Sequence, residues 1–401
     1  MMPATGQNST AALRPPPGET GPPVASAGPK GVFCALIDPI LVPAPAARVF
    51  EGSVDIDSAG AIWTWLARDL AGDLLPGGAA TQREAFETAL PQIMTRLGAL
   101  LAGLDAEGRR RLVVQLGGEA VHDRLPVVLH ALRHRALLAR AQAFGRAANA
   151  MPDEAGLVAA LQSMPLSDRQ TTALLLHAAL GQVAAPAKLV LAGIRLAGGA
   201  SETALTRAGL GPLAEGVLAH AQAQIAAMRM QGPFADIDRA CRAIERFHRL
   251  VRALSAYVEM PRGGRWSPVL GALTAEASRR IEPRLKEVVS DINLAMRRRP
   301  DGTDRVDAEQ MLAAFNGLYL LATLRECKDS LAINALFEQA WAQSGQALDI
   351  HLNRNLDLLK ADPADRVADE RLGGGIKMAE LRFSPDYAET LTRARTAAQR
   401  R

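Results

Sequence analysis

His130 and His134, in the stretch HALRH, stand one helical turn apart, and His122 lies two turns earlier. Imidazoles at positions i and i+4 are the spacing of a helical zinc pair. The zinc-protease pattern HExxH needs a Glu after the first His as general base, and here Ala131 fills that position while Arg133 and Arg135 crowd the pair with positive charge. No carboxylate completes the set. The expectation is a polar stripe or helix contact with no metal bound.

Three other stretches invite chemistry. DIHLNRNLD (Asp349 to Asp357) puts a carboxylate, an imidazole and amides at every second position, but Leu348, Leu352, Leu356 and Leu359 continue a face begun by Ile333, Phe337 and Trp341, so the stretch is helical. On a helix Asp349 and His351 point about 200° apart and cannot share an ion. A solvated flank is expected. GGGIK (Gly373 to Lys377) resembles an anion-holding loop, yet it lacks the spacing and the preceding strand of a phosphate loop, so a hinge before the last helix is expected. Cys34, Cys241 and Cys327 have no paired spacing, and no GxSxG elbow occurs. No cofactor is implied.

A charged face is the positive lead. In the helix that opens near Ile237, Arg239, Arg242, Arg246 and Arg249 fall within about 80° of one another, opposite the apolar residues. Between Arg239 and Arg252 there are five Arg against one acid, Glu245. Asp238 with Arg242 and Glu245 with Arg249 could form helical pairs; the alternative is an acidic protein partner met by the four arginines. Nucleic acid is weakly supported, because no aromatic side chains interleave with the arginines for base stacking.

The elements that must position these groups follow from composition. Ala and Leu dominate the apolar content and only 16 of 401 residues are aromatic (9 Phe, 4 Trp, 3 Tyr), which favours helix over sheet. The fold class is all-α. Residues 1–30 are Pro, Gly, Ser, Thr and Ala with almost no large apolar side chains, the composition of a disordered tail. Residues 31–80 read as an extended arm and a first helix opening at Asp57 or Ser58. Residues 81–231 read as Ala/Leu-rich helices broken at GG 117–118, MPD 151–153, MPLSD 164–168, AAP 184–186 and GGAS 198–201. Without a fixed period they form either a multi-helix bundle or an irregular α-solenoid.

Residues 232–401 read as a domain of long paired helices. Ile237, Ala240, Ile244, Phe247, Val251, Leu254 and Val258 alternate steps of three and four along one seam, and Pro283 should kink the following helix. The formal charge is only +4, and Lys contributes just six of 46 basic residues, so Arg richness alone is no nucleic-acid signal. No export pattern or membrane-spanning run is present, and unpaired cysteines suit a reducing compartment, so the cytoplasm is expected. Two functions are carried forward: a non-enzymatic adaptor or scaffold acting through the basic face, and an enzyme with a site assembled between helices. A pocket lined by convergent His, Asp, Glu or Arg side chains would favour the second.

Overall fold

Asp side chains open many of the helices, accepting the backbone N–H groups that a first turn leaves free. Asp55, Asp105, Asp153, Asp168, Asp236, Asp307 and Asp365 all cap in this way. The computed structural model describes residues 29–44, 48–75, 83–166, 168–230, 236–298 and 304–400. Most of them are helical. The strands among them are Leu41–Val42 (β1) and Val54–Asp55 (β2), which run parallel with Leu41 opposite Val54. The protein is all-α.

The expected tail at residues 1–30 lies outside the described residues, except that Pro29 and Lys30 open a helix. That helix, α1 (Pro29–Ile37), corrects the reading of an irregular arm: Phe33, Ile37 and Ile40 are fully buried, which fixes the segment to the body. The true arm is shorter and joins β1 to β2. Then come α2 (Ile56–Trp65), α3 (Arg83–Ala102), α4 (Ala106–Leu116), α5 (Glu119–His122), α6 (Leu125–Arg133), α7 (Arg135–Ala150), α8 (Glu154–Gln162), α9 (Arg169–Leu180), α10 (Pro186–Ala197), α11 (Glu202–Arg207) and α12 (Gly211–Ala227). Asp55 caps α2, accepting the Ser58 N–H at 2.8 Å, so the helix opens just ahead of the expected Asp57 or Ser58. Gly117 and Gly198, in left-handed conformation, end α4 and α10 where the sequence breaks were read.

The remaining helices are α13 (Ile237–Ser255), α14 (Ser267–Met296), α15 (Ala308–Cys327), α16 (Asn334–Ala361), α17 (Arg366–Arg382) and α18 (Pro385–Gln399). The long helices α14, α15 and α16 pair with one another. The seam residues of α13 are buried apart from Ile237, which is half-buried, but Cys241, Ala243, Leu250 and Ala253 are buried too. That broad stripe lets α13 lie against α12, α10 and α15 at once, where a two-helix seam would have reached only one neighbour.

Two apolar cores result. One gathers α1, α2, α3 and α6; the other runs from Ala148 to Ala398 and crosses the boundary expected at residue 231 without a break. Helix α9 belongs to both: Leu174, Leu175 and Ala178 face the first, Leu176, Ala179 and Leu180 the second. Every residue from Thr171 to Leu180 is buried, as a helix apolar on all sides must be.

GGGIK is not a hinge. It lies inside α17, and its glycines are packing devices: a Cβ on Gly374 would meet Met311 at 2.7 Å, and one on Gly375 would meet Met296 at 2.7 Å and Leu352 at 2.8 Å. The missing side chains let α17 seat among α14, α15 and α16. DIHLNRNLD is helical within α16, but only one flank is solvated. His351 and Asn355 are buried; the His351 Nε2 meets Asn293 Oδ1 of α14 at 3.0 Å, and Asn355 donates to the His351 carbonyl at 2.8 Å.

Candidate functional site

Where the two cores meet, over the first turns of α9, a cleft of about 260 Å³ opens between five segments. The arm supplies Glu51, the N-cap of α6 supplies Arg124 and its last turn His130, α9 supplies Gln170, α12 supplies Glu215, and the loop before α14 supplies Arg265. Gly52 locks the arm in place. Its φ is +75°, and a Cβ there would lie 2.5 Å from the carbonyl carbon and oxygen of Ala173, so only glycine lets the arm press on α9.

Each polar group has a distinct situation. Glu51 is drawn to the rim by Arg169, at 2.9 Å. Glu215 is buried in the otherwise apolar start of α12, where burial raises its pKa above the ordinary carboxylate value against the pull of Arg265. The Arg265 guanidinium approaches Glu215 Oε1 at 2.7 Å, an ion pair off the line of a hydrogen bond. Glu202 fixes the loop that carries Arg265, accepting the Arg265 backbone N–H at 2.8 Å.

His130 is held by a relay. Thr171 Oγ1 donates to Asp168 Oδ2 at 2.8 Å, which leaves its oxygen to accept from His130 Nε2 at 2.9 Å. The proton of the neutral imidazole therefore sits on Nε2, and Nδ1 keeps its lone pair. Burial is the main cause that lowers the His130 pKa, helped by His134, so the ring is neutral at pH 7.

Arg124 differs from all of these. Its side chain is half-buried, its Nε is fully shielded, and none of its nitrogens has a hydrogen-bond or ion-pair partner among the described residues. Burial disfavours its charge, and Asp123 and Asp55 offset that only in part. A guanidinium held this way inside a cleft is one positive charge with its bidentate fork unanswered.

The residues singled out in the sequence fall in other places. His130 lines the cleft and stacks near His134, ring centres 4.4 Å apart, but His134 caps the end of α6 and His122 belongs to the separate helix α5. The three do not share one helix face. His122 instead stands with Glu119 and Asp123, the one group of three possible ligands within 4.8 Å among the described residues, and Glu119 is also taken by Arg109 at 3.0 Å. Burial pushes Cys241 up to about 11 and Cys327 up to about 12, so neither is a thiolate nucleophile at neutral pH.

On α13, Arg239, Arg242 and Arg249 are exposed, but Arg246 leaves the face. Its guanidinium turns to the end of α9, donating to the carbonyls of Leu180 (2.8 Å), Val183 (2.5 Å) and Ala184 (3.1 Å). Leu180 is the last residue of α9, where the helix end leaves carbonyls open and its dipole is negative, and Val183 and Ala184 stand in the loop just after it. Arg242 pairs with Asp238 as read; Glu245 and Arg249 do not pair.

Sequence reasoning weighed His130 only as a metal ligand or a structural histidine and passed over Arg124, Glu51, Glu215 and Arg265. One signal for them exists. Glu215 is the lone acid in GPLAEGVLA, a run with no polar face to put it on. No family model matches the chain, and neither a curated protein nor a solved structure does. Among the described residues no helix is long and apolar enough to cross a membrane.

Proposed function

We propose that the chain binds a small carboxylate-bearing molecule in the cleft over α9. The observation that carries this is Arg124, a half-buried guanidinium without a partner in a cleft where the other charges are already answered. Glu51 balances Arg169 and Glu215 balances Arg265, so the surplus is a single positive charge, which suits a monoanionic group. The volume is below the roughly 300–1,000 Å³ of drug-sized sites, so the ligand is small. Gln170 and the open His130 Nδ1 offer a donor and an acceptor to orient its polar remainder.

Calorimetric titration of the full chain with acetate, glycolate, succinate and benzoate tests the reading. One of them should bind with one-to-one stoichiometry, and Arg124→Met should lose that binding while remaining folded. Affinity should also rise as pH falls below 6.5, because protonating His130 adds a second positive charge; His130→Asn should flatten that rise. If no carboxylate binds, or Arg124→Met binds as the wild type does, the cleft is not an anion site.

A second reading rests on a separate observation. Arg239 and Arg249 are exposed with no carboxylate in ion-pair range among the described residues, so an acidic protein partner on this side of α13 retains support. Arg239→Glu with Arg249→Glu should weaken a salt-sensitive pulldown, and an unchanged set of partners would remove this reading.

A further inference from the structure

A second cleft, of about 470 Å³, lies between the arm, the last turns of α12 and the middle of α14. Its charge is one-sided. Arg48, Arg229, Arg279 and Arg280 line it against one acid, Glu276, a surplus of three positive charges. Glu276 is shared by Arg279 and by Arg280, the latter at 3.5 Å. The guanidiniums of Arg48 and Arg229 have no carboxylate partner among the described residues.

The placement of Arg48 is built. Gln222 of α12 clasps its backbone from both sides, accepting the Arg48 N–H at 3.0 Å and donating to the Arg48 carbonyl at 2.9 Å. This pair of hydrogen bonds to an amide side chain pins the arm where the Arg48 side chain can reach the cleft. The floor is aliphatic, with Ile225 and Leu273 buried beneath it, and among the described residues no aromatic ring lines the space.

We infer that this cleft is a second ligand site, specific for a small molecule bearing two or more phosphate charges and no nucleobase. Several guanidiniums around one open cleft match phosphate oxygens, since each planar fork can take two of them. A carboxylate monoanion would leave most of the surplus charge unanswered. The described residues offer no aromatic platform here, which argues against a stacked base or a single-stranded nucleic acid.

The probe is inorganic tripolyphosphate, titrated into the full chain at low and at physiological salt. One equivalent should bind per chain, more weakly as salt rises. Arg48→Ala with Arg229→Ala should lower the affinity about tenfold or more, since one charge-assisted hydrogen bond is already of that order. Both residues are exposed and without ion-pair partners, so circular dichroism should show an unchanged fold. Gln222→Ala should weaken binding without removing any charge. Two controls locate the site: Arg239→Ala with Arg249→Ala removes the same charge elsewhere, and Arg124→Met removes the first cleft's cation. Both should bind tripolyphosphate as the wild type does. The inference is overturned if the wild type does not bind, if the Arg48 and Arg229 double variant binds normally, or if either control weakens binding as much.

Discussion

Two arginines drawn out of water, the buried Arg371 in the C-terminal helices and the half-buried Arg124 in the cleft, reach opposite solutions. Arg371 is only 2% exposed; its two terminal nitrogens are taken by Asp304 at 2.7 and 3.2 Å and by the Arg305 carbonyl at 3.4 Å, while its Nε, like that of Arg124, has no partner among the described residues. Arg382 is likewise satisfied, by the Trp341 carbonyl at 2.5 Å and by the Trp341 ring lying 3.8 Å from its central carbon. In that region a guanidinium is part of the packing. Arg124 has none of these acceptors. A charge taken from water without compensation costs stability, so a fold that keeps one keeps it for something other than the fold.

Removing Arg371 should have the largest effect. Arg371→Leu takes the closest partner from the half-buried Asp304, which keeps Arg298 at 3.8 Å, and breaking a pair with one fully buried member costs up to about 3–5 kcal/mol. Denaturant unfolding should show the loss as a lower midpoint with little change in slope. A change under about 1 kcal/mol would mean that the Asp304 contact is dispensable and that the contrast with Arg124 is weaker than drawn.

The junction of the two cores should respond to acid. His177 and His220 stack there with ring centres 4.3 Å apart, His220 Nε2 donating to the His177 carbonyl at 2.8 Å, while neither nitrogen of His177 has a partner. Burial lowers the His177 pKa well below its usual value and that of His220 to about 4. The unfolded chain therefore binds these protons first as pH falls. Stability should be unaffected above about pH 6.5 and should drop between there and pH 4, by on the order of 3 kcal/mol from His220 alone. His177→Leu should be neutral or stabilising at pH 7 and should make the acid limb shallower. An acid limb as steep in that variant would place the titration elsewhere.

A smaller loss is expected at the arm. Gly52→Ala forces a side chain into a left-handed conformation and against the Ala173 backbone, a strain of about 1–3 kcal/mol. The arm should detach, with faster proteolysis near Glu51 and loss of carboxylate binding. Intact binding would show that the arm is not a wall of the site.

The difference between the regions also decided what could be read in advance. Helix content, several helix ends and the apolar stripe of α13 were legible because they depend on local chemistry: Ala/Leu periodicity, Asp caps, Gly at positive φ. The burial of His351 and Asn355 was not, because it depends on Asn293, 58 residues away, standing opposite. Arg246 was assigned to solvent by helical angle alone. Its long side chain bends to carbonyls at the end of α9 and in the loop after it, which no angle on α13 reports. The three glycines of α17 gave the local signal of a hinge and have the tertiary role of close packing. The cleft draws on five segments between residues 51 and 265, so its members share no spacing to detect.

Arg124→Met is the direct test of whether that cleft exists for a ligand. Methionine keeps the apolar length of the side chain and removes the uncompensated charge. Unfolding of wild type and variant should be measured with and without the carboxylate that binds. Unliganded, the variant should be as stable as the wild type or slightly more so. With ligand at a hundred times its Kd, the wild type should gain about 2.7 kcal/mol and the variant nothing. A variant that loses several kcal/mol without ligand, or that gains as much from it, would make Arg124 a structural residue and the cleft a packing defect.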